Sequence, residues 1–204
     1  GIHRAEMGQG ITTTLAMLLA EELDANWADI RFVFAPVDRD YYNFGMLMNG
    51  QPLGDPAASW RTATGTWAIR EAFHALGMSM TISSSSTVDA WDTLRPAGAA
   101  ARQMLMAAAA HQWGTAVSAL HTERGYVIDP DNNRKLSYGA LADQAAREAP
   151  PTAVALKNPS DYQLIGHNPP RLDTPIKVDG TAIFGIDVRL PGMLYATVVH
   201  SPVA

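Results

Sequence analysis

The chain has 204 residues, with 15 Lys and Arg against 20 Asp and Glu, which gives a formal net charge of −5, and it contains no cysteine. A content of 47% hydrophobic and 17% charged residues is enough to bury a core and excludes global disorder. The acidic balance argues against nucleic acid as a partner, and the missing cysteines exclude disulfides, chain-bound Fe–S clusters, thiolate zinc sites and cysteine nucleophiles.

The first predicted element is an amphipathic helix over residues 11–23. Apolar residues recur there at steps of three and four, which places Leu15 and Leu19 on one buried face and turns Glu21 to solvent. The segment 30–34 that follows is rich in β-branched and aromatic residues and is typical of a strand. This stretch therefore predicts a helix packed with a strand.

The middle of the chain predicts a long loop and two further helices. Residues 38–66 lose periodicity and scatter aromatic and Met residues among Gly, Pro and Asn, which is typical of a functional or interfacial loop. A short helix is predicted over 67–76. A second long helix is predicted over 92–113, with Pro96 in its first turn and Gly114 at its end.

The last third predicts a hairpin, a helix, a connector and two strands. Residues 120–128 form the hairpin around an Arg-Gly turn. Ser137 is a good N-cap for a helix over 138–148. The five prolines of 149–170 indicate a connector, and 183–200 has the pattern of strand, turn and strand.

A glycine-bearing loop, Glu6-Met7-Gly8-Gln9-Gly10, directly precedes the first helix. Its two glycines let a backbone approach a ligand closely, and the free amides of a helix start favour an anion such as phosphate. Gln9 adds a donor and an acceptor suited to a polar heterocycle or an oxo group. The alternative is a plain turn that uses glycine only for tight geometry, since a lone glycine spacing is weak evidence.

A run of four serines at residues 83–86 is the second candidate site. Its hydroxyls and amides suit a phosphate or a pterin, whereas on composition alone it is a solvated loop. A serine nucleophile is a third reading, but no Gly-x-Ser-x-Gly elbow surrounds the run. The six histidines show no paired ligand spacing, so we expect no metal held by protein side chains.

In combination, these motifs resemble the molybdenum-cofactor-binding large subunit of the xanthine oxidase family. The matching stretches are the glycine loop with the helix after it, the serine run followed by an Ala-rich helix at 94–102, Trp113-Gly114 with the segment 134–141, and residues 171–202. The last stretch is similar to the opening of the family's a/b-hammerhead domain, although His200 stands where many relatives have Arg. A hammerhead that follows the glycine loop is typical of isoquinoline 1-oxidoreductase beta subunits and bacterial membrane-associated aldehyde dehydrogenases.

The resemblance implies an α+β fold. Residues 1–148 would be part of the molybdopterin-binding domain, a mixed sheet with packed helices, 149–170 a proline-rich connector, and 171–204 the beginning of a hammerhead domain. It also implies hydroxylation of aldehydes or N-heterocycles with oxygen taken from water, with electrons leaving through an Fe–S subunit. The chain would be a fragment of such an enzyme and inactive alone.

Residue by residue, the resemblance assigns Gly8, Gln9 and Gly10 to the pterin and molybdenum end of the cofactor, and Gln9 is the expected direct contact. Ser84 and Ser86 match two hydroxyl positions of the family's small-residue loop. The family's catalytic glutamate and its Phe-Gly-Gly segment have no counterpart here, so we expect no catalytic residue and no metal ligand in this chain.

By the same resemblance, the intact parent would carry molybdopterin, as molybdenum cytosine dinucleotide, and the isolated piece none. The expected partners are the rest of the large subunit, a [2Fe-2S] small subunit and a cytochrome c subunit. The expected location is the periplasm or its membrane face, with no membrane span in this segment, because the longest apolar run in the alanine-rich middle covers only 104–110. The rival interpretation is a non-catalytic binding or assembly module in which the glycine loop is a mere turn.

Overall fold

The computed structural model describes residues 1–48 and 60–202, and the part of the predicted aromatic loop at 49–59 lies outside them. Two compact units are present, Gly1–Leu172 and Asp173–Ala204. The helices are α1 (Ile11–Leu23), α2 (Gly45–Met48), α3 (Trp60–Ala75), α4 (Ser85–Trp113), α5 (Tyr138–Ala145) and α6 (Thr174–Val178), and the strands are β1 (His121–Glu123), β2 (Tyr126–Asp129) and β3 (Arg134–Ser137).

Helices with one small sheet confirm the α+β class, but the sheet differs from the predicted one. Its three strands lie in the order β1-β2-β3 and pair antiparallel throughout, whereas a mixed sheet was expected. Among the described residues, parallel pairing is limited to a single bridge between Ile2 and Phe34. The cofactor-domain and hammerhead assignments, with their boundaries, stay predictions.

The first unit is built on the packing of α1 against α4. Leu15 and Leu18 of α1 are buried in this core, as the helical period requires. The backbones approach closely at Gly98 of α4, where an added Cβ would lie 2.5 Å from the carbonyl oxygen of Leu19. The bounds predicted for α1 are confirmed at both ends.

Two residues of α1 are placed opposite to the prediction. Leu19 is 36% exposed, whereas Glu21 is only 1% exposed. Glu21 is buried because the segment 157–165 lies over it and supplies the hydrogen bonds that its carboxylate needs. The helical period identifies the faces of a helix, but it does not say which neighbouring segment covers a polar face.

α4 begins at Ser85, seven residues before the predicted start, so the prediction that Pro96 lies in its first turn is wrong. Pro96 lies in the helix interior, where it cannot donate a hydrogen bond to the carbonyl of Asp92. Asp92 is exposed, so water can solvate that carbonyl. The end of the helix at Gly114, with φ 64°, is confirmed. α3 covers all but the last residue of the predicted short helix, and it starts at Trp60, inside the stretch predicted to be a loop.

The predicted hairpin is confirmed, and a third strand extends it. Arg124 and Gly125 both have positive φ, as a two-residue type I′ turn requires. β3 pairs with β2 where only a turn and its exit were predicted. The Ser137 hydroxyl accepts a hydrogen bond from the amide of Ala140, which confirms the cap. α5 ends three residues earlier than predicted, and residues 146–148 continue as hydrogen-bonded turns.

The two remaining strand predictions are wrong. Segment 30–34 only bridges Ile2 through backbone hydrogen bonds on either side of Phe34. The described part of 183–200 contains a 3-10 turn at Gly185–Asp187 and no strand, and its apolar side chains are largely exposed. Strand propensity does not form a strand without a partner, because the ladder hydrogen bonds need a second chain segment and an isolated hairpin is marginal.

Candidate functional site

The two motifs singled out in the sequence line one cleft of the first unit. We name residues 6–10 the glycine loop and residues 81–84 the serine turn. The cleft has a volume of about 340 Å³ and is lined by Met7, Gln9, Ile11, Thr81, Ile82, Ser83, Ser84, Ser86 and Thr87. The amide of Ala5 donates to the Thr81 hydroxyl at 2.9 Å, which joins the two walls directly. Segments about 75 residues apart in the sequence thus meet at one site.

The glycine loop wraps around the carboxylate of Glu6. Its Oε1 accepts the amides of Gly8 at 2.8 Å and Gly10 at 3.0 Å, and its Oε2 accepts the amide and hydroxyl of Thr12. Positive φ angles at Gly8 and Gly10 orient their amides toward the Glu6 carboxylate. Arg171 adds an ion pair to the same carboxylate at 3.4 Å.

The start of α1 therefore already holds an anion, which corrects the expectation of free amides at this position. Burial opposes ionisation of Glu6, but hydrogen bonds from Gly10, Thr12 and Gly8 outweigh it and lower its pKa. A ligand that enters the cleft meets a loop pre-shaped by its own carboxylate. Gly8 and Gly10 shape that loop, and neither is among the residues that line the cleft.

Gln9 lies on the cleft wall with both ends of its amide bound to its own loop. Its Oε1 accepts the amide of Met7 at 2.6 Å, and its Nε2 donates to the carbonyl of Ala5 at 2.8 Å. A carboxamide has two N–H groups and two acceptor lone pairs. Gln9 thus keeps the capacity to donate to or accept from a ligand while its orientation is held.

The four serines at 83–86, two in the serine turn and two in the first turn of α4, divide their hydroxyls between the cleft and the core. Ser83 and Ser84 both have left-handed backbones, with φ of 54° and 53°, and are exposed along the cleft. Ser85 is buried, donates to the carbonyl of Ile82 and accepts from Asn43. Ser86 lines the cleft and is only 6% exposed, so it offers a largely desolvated hydroxyl. The predicted pair, Ser84 and Ser86, thus borders the cleft, whereas Ser85 does not.

The residues that hold the two walls together were missed by sequence reasoning. Arg4 is buried and pairs with Asp89 of α4, and Asn43 is buried beside them. Arg4 and Asp89 are 85 positions apart, and no motif links them.

A second cleft of about 280 Å³ lies at the end of α1, and three of the charged residues that line it pair with one another. Lys157 donates to Glu21 at 3.0 Å and also binds Asp24. Burial disfavours the charged ammonium, but these hydrogen bonds outweigh it and raise the pKa of Lys157. No histidine lines either cleft in the described chain, so neither wall offers a Ser–His pair.

Two searches of the described residues concern metals and membranes. Residues 1–48 and 60–202 hold no group of three or more metal-ligating His, Asp or Glu side chains. In the same part of the chain, no helix combines the length and the apolar character needed to cross a bilayer.

Comparison with characterised proteins finds relatives along almost the whole chain, although no protein-family model matches it. It is 34% identical to the beta subunit of isoquinoline 1-oxidoreductase from Brevundimonas diminuta over an alignment of 232 residues, which covers 98% of this chain and 26% of the relative. It is 30% identical to the membrane-bound aldehyde dehydrogenase [pyrroloquinoline-quinone] of Gluconacetobacter polyoxogenes, covering 95% of the chain and 21% of the relative. It is 29% identical to a nicotinate dehydrogenase subunit of Pseudomonas putida, covering 98% and 14%.

The chain thus spans about a quarter or less of the length of these relatives. Their names describe oxidoreductases that act on isoquinoline, an aldehyde and nicotinate, and two of them are named as subunits. The second is called membrane-bound. These similarities confirm the resemblance inferred from the motifs.

Proposed function

We propose that the chain belongs to the xanthine oxidase family of molybdopterin-binding subunits and that it supplies one wall of that family's cofactor site. Similarity to the three relatives over nearly the whole chain supports the family. The observation that carries the proposal is the convergence of the glycine loop and the serine turn on one cleft. Nothing in the sequence indicates that the glycine loop and the serine turn lie close together, yet they meet where one ligand would contact both.

The donor set of the cleft fits a pterin. Its volume of about 340 Å³ is at the lower end of the range for small-molecule sites. Serine and threonine hydroxyls and one carboxamide line it, together with the apolar side chains of Ile11 and Ile82. Such a mixture of apolar walls and a few polar groups suits a flat heterocycle with donors and acceptors at its edge.

In this proposal the side chains bind and orient, and the cofactor carries the chemistry. When bound, the molybdenum centre supplies the hydroxylation of an aldehyde or an N-heterocycle carbon with oxygen taken from water. Gln9, Ser84 and Ser86, which line the cleft, are the residues that would hold the polar edge of the cofactor. The Glu6 carboxylate stays bound to its loop amides and acts as a scaffold rather than as a base.

We further propose that the chain is a segment of a longer large subunit that acts with a [2Fe-2S] subunit and a cytochrome c subunit. Its place is the periplasmic side of a bacterial membrane, and its cofactor is molybdenum cytosine dinucleotide. Length supports the first statement, because the relatives are about four or more times longer than the part that matches. The catalytic glutamate and the Phe-Gly-Gly segment would then lie elsewhere in the large subunit.

Cofactor content tests the proposal in the natural polypeptide that carries this segment. Molybdenum is measured by elemental mass spectrometry, and pterin by the fluorescence of its oxidised product. One hydrogen bond in a desolvated site is worth about 1 kcal/mol or more, so Ser86→Ala and Gln9→Ala should each weaken cofactor retention by about fivefold to tenfold. Ser118→Ala and Gln112→Ala, which alter exposed residues away from the cleft, are the matched controls.

The outcomes separate the proposal from its rivals. Wild-type protein without molybdenum or pterin would contradict it and favour the assembly module. The name of one relative carries pyrroloquinoline quinone. Finding that quinone in place of pterin would contradict the proposal too. Cofactor content in the Gln9 and Ser86 variants equal to that of the controls would remove this cleft from the site.

A further inference from the structure

We infer that Arg4 is a positioning residue that sets the separation of the glycine loop and the serine turn through a buried ion pair with Asp89. Its ligand-binding consequence rests on the proposed function, whereas its structural consequence does not. Arg4 lies two residues before the glycine loop, and Asp89 lies in the first turns of α4, five residues after the serine turn. The ion pair therefore joins the stems of the two cleft walls.

The Arg4 guanidinium binds three acceptors that belong to two other segments of the chain, residues 41–42 and α4. Its side chain has no exposed surface, and its Nη2 lies 2.6 Å from Oδ2 of Asp89. Nη1 donates to the carbonyl of Tyr41 at 2.7 Å, and Nη2 also donates to the carbonyl of Tyr42 at 3.0 Å. A guanidinium can serve these three acceptors because its donors form a planar, rigid fork.

Asp89 extends the same network with its second oxygen. Oδ1 accepts the amides of Phe44 and Gly45, both at 2.9 Å. α2 lies so close to α4 here that a Cβ at Gly45 would be 2.7 Å from the Cβ of Asp89. A small shift of Asp89 would thus move the 41–45 segment as well.

Asn43 links this segment to the serine turn. Its Nδ2 donates to the carbonyl of Met80 at 2.7 Å and to the hydroxyl of Ser85 at 2.8 Å. The hydrogen bond from Ala5 to Thr81 closes the circuit on the side of the cleft. Arg4 is therefore connected to both walls through directional bonds in a buried environment, where each bond is strong and costly to leave unmade.

One donor of Arg4 indicates that orientation, rather than stability alone, accounts for this residue. Its Nε is buried without a hydrogen-bond partner. A buried unsatisfied donor carries a desolvation penalty that an apolar residue of similar length would avoid. Arg4 therefore carries that penalty and in return holds Asp89 and two backbone carbonyls in a set geometry.

Hydrogen exchange of the natural polypeptide, measured without added cofactor, tests the positioning role of Arg4. Arg4→Lys keeps the charge but loses the fork, and Asp89→Asn keeps the shape but loses the charge. We expect each to raise exchange at least tenfold at residues 5–12 and also at 81–86, with the hairpin 121–137 unchanged. The matched control is Arg102→Lys, which breaks a half-buried Arg–Asp pair with Asp24, at 3.2 Å, away from this network.

The control should change exchange around Asp24 and leave both cleft walls as they are. A rise spread evenly over the whole first unit in Arg4→Lys and Asp89→Asn would overturn the inference, since it would mean a merely structural role. A rise at one wall only, or at neither, would overturn it as well. This measurement needs no cofactor. A wild-type protein without pterin would therefore contradict the proposed function, while the positioning role of Arg4 would still be tested by hydrogen exchange.

Discussion

Replacing Glu21 with glutamine should destabilise the first unit strongly, although the residue lies on the polar stripe of α1. Its Oε2 accepts three consecutive amides, those of Gln163 at 3.0 Å, Leu164 at 2.6 Å and Ile165 at 3.0 Å. Its Oε1 binds the ammonium of Lys157 at 3.0 Å. A carboxylate can accept all four bonds, whereas an amide side chain has only one accepting oxygen.

The magnitude follows from these contacts. Hydrogen bonds to a charged group contribute about 1.5–3 kcal/mol each and neutral ones about 0.5–1.5, so loss of charge at three amides costs about 3 kcal/mol. The glutamine NH₂ must also face either Lys157 or the amides, which leaves one buried donor without an acceptor. We expect a total loss of about 3–5 kcal/mol, or about 10 °C in Tm for a unit of this size.

Urea and thermal unfolding at pH 7, followed by circular dichroism, measure this loss. Asp143→Asn on the exposed face of α5 is the matched control and should change stability by less than about 0.5 kcal/mol. A Glu21→Gln variant within about 1 kcal/mol of that control would refute the reasoning, because it would mean that the segment 157–165 does not depend on the carboxylate.

Three further outcomes follow from the structure. Gly98→Ala should cost about 1–3 kcal/mol by overpacking, because its Cβ would meet the Leu19 carbonyl. Gly139→Ala, whose Cβ would only make an ordinary contact with the Ser137 hydroxyl at 4.0 Å, should be neutral or slightly stabilising in thermal unfolding. Ser137→Ala should lower stability by about 1 kcal/mol in urea unfolding, through loss of the α5 cap. Folding lowers the pKa of Glu6, so its contribution to the free energy of unfolding is complete above its ordinary pKa of 4.5 and is lost as the pH falls through the pKa of the folded protein. A urea midpoint that stays constant from pH 6 to pH 3 would contradict this.

Local features of the fold were predictable because their causes lie within a few residues. α1 follows from the three- and four-residue spacing of its apolar side chains, and both its ends are confirmed. The hairpin follows from the Arg-Gly turn between the short segments 120–123 and 126–128, where glycine readily adopts positive φ. The α5 cap follows from a serine placed three residues before the amide that it accepts from. Each case needs no knowledge of the remaining chain.

Three of the five predicted site residues line the cleft, but how the cleft is built was not predictable. The resemblance named Gly8, Gln9 and Gly10 with Ser84 and Ser86, and Gln9 and the two serines do line one cleft. The sequence does not reveal that Glu6 fills the helix start. The reason is that its role depends on φ angles that turn three amides toward one carboxylate. Arg4 and Asp89 were missed because an ion pair across 85 positions has no local signature.

By itself the sequence determined the class of fold and the positions of α1, the hairpin and the cap, and its motifs indicated the resemblance that the three relatives support. Tertiary structure decided whether the Glu21 carboxylate is solvated or buried and where the glycine loop and the serine turn meet. It also decided whether residues 30–34 and 183–200, which have strand propensity, find a partner to pair with. The physical reason is the range of the interactions: turns, caps and helical periods are satisfied by near neighbours. Burial of a charge and pairing of a strand, in contrast, require groups supplied from distant parts of the chain.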